Sequence, residues 1–253
     1  MNEFQCCPKC KDKNGALPLG FIEHKTQEGI FAEECECHKK WVLESTLEAK
    51  FIHNGFDASL FNYSIRNYVG NESRAEKDRL INYVAKFDDP KVKKCIVYMY
   101  GKNGTQKTVL GNWIGKSLLS KGYSVRYLLM NNLVGMLQDA GFKDGVQEKL
   151  DKLDSTDLLI IDEAFDKEKM RLYKSGFQIS FIDTWLRNRI QTLNKGVVFI
   201  SNVKPEDIEK QGLSHSIQDF VERECKKCGS FLEFKDNYIL ESHTEYDSSV
   251  GLF

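Results

Sequence analysis

No stretch of this 253-residue sequence is apolar over the roughly 18–20 residues that a membrane-spanning helix needs. No membrane partner is therefore expected. Neither charge is in excess: 36 Lys and Arg against 37 Asp and Glu leave a formal net charge of −1. Any contact with nucleic acid must come from a local patch and not from the overall field. Internal repeats and low-complexity tracts are absent. The opening residues, Met1-Asn2-Glu3-Phe4-Gln5-Cys6, lack the charged-then-apolar pattern of a signal peptide, so a cytoplasmic chain is the expectation.

What the chain does have is unevenly spread. Of its eight cysteines, five lie before residue 50. Cys7-Pro8-Lys9-Cys10 forms one C-x-x-C knuckle, and Cys35-Glu36-Cys37 forms a second, tighter pair. Four thiolates from Cys7, Cys10, Cys35 and Cys37 can close a tetrahedral Zn²⁺ site, and a segment this small needs such a staple to fold. Cys6, His24 and His38 are substitute ligands. Because four protein ligands leave no open position, the role is structural. The glycines and short apolar pieces between the knuckles predict a hairpin. A helical connector follows from Trp41 to about Gly55, with Leu43, Leu47 and Phe51 on one apolar stripe. Residues 1–50 thus read as a zinc-binding domain, 51–60 as a linker and 61–253 as the main domain.

The segment Gly101-Lys102-Asn103-Gly104-Thr105-Gln106-Lys107-Thr108 follows the apolar run Cys95-Ile96-Val97-Tyr98-Met99-Tyr100. A buried strand entering a Gly-containing loop that opens a helix is the layout of a phosphate-binding P-loop. Its N–H groups cradle phosphate oxygens, aided by the positive end of the helix. Lys107 reaches the β- and γ-phosphates and the Thr108 hydroxyl holds Mg²⁺. Gln106 stands where the usual pattern has Gly. Some fifty residues on, Asp157-Leu158-Leu159-Ile160-Ile161-Asp162-Glu163 reads as a buried strand ending in two acids. Asp162 suits Mg²⁺ binding, and Glu163 suits a general base for the attacking water. The two motifs together predict binding of ATP and ADP.

Strands and helices alternate from Val92 onward: strand 92–100, helix 107–121, strand 124–130, helix 131–140, strand 157–161, helix 177–193 and strand 196–201. Helices near 204–211 and 214–227 and a strand near 230–235 complete the pattern. A helix from 73 to 87, with Leu80, Ile81 and Val84 on its stripe, precedes them. This is an α/β pattern with a parallel sheet and helices on both faces. Strand 196–201 ends in Ser201-Asn202, where ligand crevices form in open parallel sheets. Asn202 is a candidate sensor of the γ-phosphate, although Asn also simply terminates strands. Arg223 is a candidate arginine finger, a cation supplied by a neighbouring subunit, with Arg187 and Arg189 as competitors. Cys225-Lys226-Lys227-Cys228 has no partner pair nearby and reads as small residues in a turn. Tyr123, Arg126 and Tyr127 are a candidate stacking set for single-stranded DNA.

The cysteine-rich N-terminus, the P-loop, the Asp-Glu and Ser-Asn strand ends and the late Glu222-Arg223 resemble the DnaC/DnaI-type replicative helicase loaders over nearly the whole chain. The Gly-Thr-Gln-Lys-Thr form of the loop resembles the variant of phage-encoded loaders. The resemblance implies an AAA+ core in which Gly101, Asn103, Gly104, Thr105, Gln106, Lys107 and Thr108 surround the nucleotide, with Asp162, Glu163, Asn202 and Arg223 in the roles above. It further implies a homo-oligomeric helical assembly with ATP on single-stranded DNA, in the cytoplasm of a bacterial host cell. The N-terminal zinc module would grip a DnaB-type hexameric helicase. Thirty residues after Arg223 are too few for the helical lid of general AAA+ proteins, so closure of the site would come from the next subunit and the isolated monomer would be a weak ATPase. The related transposition ATPase IstB shares the core and is one alternative. A non-hydrolysing helicase-binding adaptor or inhibitor is the other.

Overall fold

The computed structural model describes residues 4–11, 13, 15, 17–26, 29–140, 143–170 and 177–236. The chain divides into two compact units, Met1–His53 and Asn54–Phe253. No helix among the described residues is long and apolar enough to cross a membrane.

In the first unit, β1 (Phe21–Thr26) and β2 (Gly29–Glu34) form an antiparallel hairpin, with Phe21 opposite Glu34 and Thr26 opposite Gly29. Helix α1 follows as Glu36–His53. It starts five residues before Trp41, because the second cysteine pair itself forms its first turn: the His38 and Lys39 N–H groups donate to the Cys35 carbonyl at 2.9 and 3.1 Å. The expected apolar stripe is not a buried one. Phe51 is buried, but Leu43 is 71% exposed.

The second unit opens with an irregular segment and α2 (Arg74–Ala85). Leu80 and Val84 of α2 are buried, whereas Ile81 is exposed and leaves the predicted stripe. The stretch expected to begin a strand at residue 92 is instead a short helix, α3 (Pro90–Lys93). Its start is encoded by Asp89, whose carboxylate accepts from the Lys91 N–H at 2.8 Å, and by Pro90 at the first helical position. Strand β3 is then Ile96–Tyr100, followed by α4 (Lys107–Ser120), β4 (Val125–Leu129), α5 (Met130–Asp139), α6 (Val146–Ser155) and β5 (Leu158–Asp162). Helix α7 (Phe177–Arg187) continues into a π turn at Asn188–Thr192. After β6 (Gly196–Ser201) the predicted 204–211 helix is two short 3₁₀ turns, and α8 (His215–Cys228) and β7 (Phe231–Glu233) complete the core. The question of a lid concerns residues that extend beyond 236, outside the described residues.

The five strands form one parallel sheet in the order β4-β5-β6-β3-β7. Successive side chains of a strand point to opposite faces, and both faces are covered. Ile96 and Tyr98, Leu159 and Ile161, and Val197 and Phe199 share one core with residues of α5 to α8. On the other face α4 comes so close that a Cβ on Gly111 would lie 2.4 Å from Ile200. Leu110, Ile114 and Leu118, the predicted stripe of α4, are fully buried. This is an α/β fold, a parallel sheet covered by helices on both faces, with a cysteine-rich N-terminal unit.

Arg189 is structural. It is fully buried, and its guanidinium donates to the carbonyls of Leu153, Thr156 and Gly196 at 2.9–3.3 Å. Burial pushes it down to about 10. Cys225 and Cys228 lie on the last turns of α8 and not in a loop turn. Cys225 is buried, and Cys228 is joined to Cys95 by a disulfide with Cα atoms 6.2 Å apart. The bond ties α8 to the residue before β3. A reading confined to C-x-x-C spacing misses such a pairing, since its partner is 133 residues away.

Candidate functional site

In the first unit the sulfurs of Cys7, Cys10, Cys35 and Cys37 all lie within 4.8 Å of one another. The Cys7–Cys10, Cys7–Cys35 and Cys10–Cys37 separations are 3.9, 3.6 and 3.5 Å. A tetrahedron with metal–sulfur bonds of about 2.3 Å has edges of about 3.8 Å, so the donor set fits Zn²⁺. The N–H groups of Cys10 and Lys9 hold the Cys7 thiol down at about 6, whereas burial pushes the Cys10 thiol up. The substitute histidines are engaged elsewhere: His24 pairs with Glu33 and His38 with Glu34, each at 2.7 Å.

In the second unit the C-terminal ends of β3, β5 and β6 converge on a cleft of about 400 Å³. Its walls are Asn103 to Val109 from the loop and the start of α4, Asp162 and Glu163 after β5, Lys169, and Ile200 to Asn202 after β6. The loop is held tightly. Gly101 has φ +146, and a Cβ there would lie 2.0 Å from the Phe234 carbonyl oxygen. Gly104 has φ +80. Gln106 also takes the left-handed conformation, at φ +61, which explains why Gly is usual there. A side chain in this region costs about 1–2 kcal/mol. The Gln106 side chain is buried, and its amide oxygen accepts from the Tyr63 hydroxyl at 3.3 Å.

Lys107 opens α4 from inside this loop. Its ammonium donates to the carbonyls of Gly101 and Lys102, both at 2.8 Å, and to the Thr105 hydroxyl at 3.0 Å. Burial lowers it to about 8 despite the opposing pull of Asp162. The Thr108 hydroxyl donates to Asp162 Oδ2 at 2.8 Å, and the Tyr127 hydroxyl donates to the same oxygen. Thr108 and Asp162 therefore present two hard oxygens at one point of the cleft wall, a donor pair that suits Mg²⁺.

The turns after β5 and β6 are stitched together. The Ala164 N–H donates to the Ile200 carbonyl at 2.9 Å, and the Ser201 hydroxyl donates to the Ala164 carbonyl at 2.6 Å and accepts from the Val203 N–H at 3.0 Å. These bonds set Glu163 and the exposed Asn202 on the same cleft. Glu163 and Phe165 both have left-handed backbones, φ +55 and +62. Strain of this kind gathers at ligand sites. Glu163 is paired with Lys169 at 2.5 Å.

Arg223 does not line this cleft. It lies on the exposed side of α8, where it donates to Asp219 at 2.8 Å and lies 3.8 Å from Glu224. Arg187 is committed within the fold, to Asp183 at 2.8 Å, to Ser216 and to the face of Phe220. The proposed stacking set separates: Arg126 and Tyr127 are successive strand residues and point to opposite faces, the Tyr127 hydroxyl donates to Asp162, and the Tyr123 hydroxyl donates to Asp88. Sequence reasoning missed Tyr63, Tyr127 and Lys169. Tyr127 carried a faint signal, since β4 runs beside β5 in parallel register with Leu129 opposite Asp162. The other two carried none.

No protein-family model matches the sequence, and no curated protein sequence does. The fold is similar to that of solved structures. One is DnaI, at 18% identity over 72% of this chain and 93% of that one, with a TM-score of 0.53. Another is the DnaC helicase loader, at 17% identity over 70% of this chain and 99% of that one, with a TM-score of 0.50. A third is the replication initiator DnaA bound to AMPPCP and single-stranded DNA, at 20% identity and a TM-score of 0.55. That match covers 68% of this chain but 49% of DnaA, so the chain spans about half the length of the initiator it resembles. The likeness extends to helicase loaders and initiators alike and is one of fold.

Proposed function

We propose that this chain is an ATP-dependent loader that places a DnaB-type hexameric helicase on single-stranded DNA at the start of replication. One observation carries the reading. A buried Lys107, the Thr108–Asp162 pair, Glu163 and Asn202 meet in a single cleft at the strand ends of an AAA+ core, and the DnaI and DnaC structures match that core over most of both chains.

In this reading the loop N–H groups and Lys107 bind the phosphates of ATP. Thr108 and Asp162 would hold Mg²⁺, which when bound offsets the charge of the β- and γ-phosphates. Tyr127 fixes the rotamer of Asp162. Glu163 accepts a proton from the attacking water, and Asn202 orients that water or the γ-phosphate. Arg223, directed outward on α8, would act on the ATP of a neighbouring subunit in a helical assembly. ATP and ADP then act as a switch through their different affinities for assembled and separate states. The four cysteines would hold Zn²⁺ structurally, and the unit they close would grip the helicase.

The test is to mix the protein with the DnaB-type helicase of its host, with and without ATP, and to weigh the complexes by light scattering. A stoichiometric complex that disappears when residues 1–53 are removed supports the loader. Failure to bind the helicase, with ATP-dependent filaments on duplex DNA, would replace it by an IstB-like transposition ATPase. A helicase complex formed without any ATP turnover would make the protein an adaptor or inhibitor.

A further inference from the structure

Among the described residues, Lys169 is the charged cleft residue to which the motifs give no role. It lies on the segment after β5, and that segment is anchored at both ends. Phe165 is fully buried in the core and Met170 is nearly so. Between them the Asp166 carboxylate accepts from the Glu168 N–H at 3.0 Å, and its carbonyl accepts from the N–H groups of Lys169 and Met170 at 3.1 and 2.8 Å. The turn therefore delivers the Lys169 side chain to the cleft wall. There its ammonium meets Glu163 Oε1 at 2.5 Å. Both side chains are about one-third exposed. An ion pair that accessible adds little to the stability of a fold, so stability does not account for its position. Two cations, Lys107 and Lys169, face one anion-binding cavity, and the second is held by the carboxylate that the proposed mechanism uses as its base.

We propose that Lys169 reads the terminal phosphate: it exchanges its ion pair with Glu163 for one with the γ-phosphate of ATP, and in doing so frees Glu163 to act on water. This deepens the nucleotide-site reading above and rests on it. While the ion pair holds, the Glu163 carboxylate is occupied by Lys169, and a γ-phosphate carries more charge than a carboxylate to compete for that ammonium. A diphosphate lacks that group, so with ADP the pair stays closed. The binding of a triphosphate and the release of Glu163 become one event.

The experiment measures dissociation constants of the full-length protein for ADP and for a non-hydrolysable ATP analogue, with Mg²⁺, by calorimetry. Lys169→Met keeps the length of the side chain and removes its charge. It is expected to weaken the triphosphate about tenfold, the scale of one charge-assisted hydrogen bond, and to leave ADP unchanged. Unchanged ADP affinity also shows that the variant is folded. Lys169→Arg should restore the discrimination. Glu163→Gln releases Lys169, so it should tighten the triphosphate, and the gain should vanish in the Glu163→Gln/Lys169→Met double variant. Equal effects of Lys169→Met on both nucleotides, or no effect on either, would overturn the proposal while leaving the site itself standing. If the wild-type protein bound neither nucleotide, the reading of the cleft would fall, and this inference with it.

Discussion

The two units of this chain are held together in different ways. Among the described residues of the first unit, the buried hydrophobic side chains are Cys10, Cys35 and Phe51. The second unit buries whole strands: every residue of β5 and β6 is buried. A unit of some fifty residues with so little core depends on its four-sulfur cluster. The core depends on packing, and can therefore carry strain at Gln106 and Glu163 where the nucleotide is proposed to bind. What the difference teaches is that one chain contains a part built round a four-cysteine cluster that would need a metal to close it and a part built round a packed core.

The sharpest way to break that comparison is to remove the metal. Structural zinc contributes about 10–16 kcal/mol in small domains, more than the whole stability of most. Chelation, or Cys10→Ser, should abolish the dispersed amide signals of the first unit in an NMR spectrum while the melting transition of the second unit stays in place. Loss of both together would merge the two parts. Next in size is a pair of core truncations. Phe199→Ala, at a fully buried position, should cost about 3–5 kcal/mol in a denaturant titration. Leu43→Ala, on the exposed part of α1, should change stability by less than about 0.5 kcal/mol. The smallest effect is a titration. Lys107 is held at about 8 by burial, and bound phosphate would raise that value because it favours the ammonium. The affinity for ATP should thus be constant below pH 8 and fall above it, by up to about tenfold per pH unit. An affinity that rose between pH 8 and 9 would contradict the role of Lys107.

The sequence made local chemistry legible and left distant chemistry hidden. The P-loop, the acidic strand end and the two cysteine knuckles are each encoded within a few residues, and the structure brings the residues of each together. Helix α6 could have been found: Val146, Leu150 and Leu153 are buried on one face of Val146–Ser155, but the charged residues between them concealed the period. The short helix α3 also had its signals in Asp89 and Pro90. Other features exist only once the chain has closed. Cys228 finds Cys95, Tyr127 finds Asp162 across a strand pair, and Lys169 finds Glu163 because two core residues turn the chain between them. The expected stripe of α1 failed for a different reason. Periodicity identifies a face, but what covers that face is decided by the rest of the fold.

The most direct test of the account is nucleotide binding by Lys107→Ala. A fluorescent ATP analogue would be titrated into the wild-type and variant proteins, with zinc content and melting temperature recorded for each. The account predicts saturable binding by the wild-type protein and a loss of about 100-fold in the variant, with zinc and melting unchanged. Tight binding retained by a folded, zinc-loaded Lys107→Ala would contradict the assignment of the cleft.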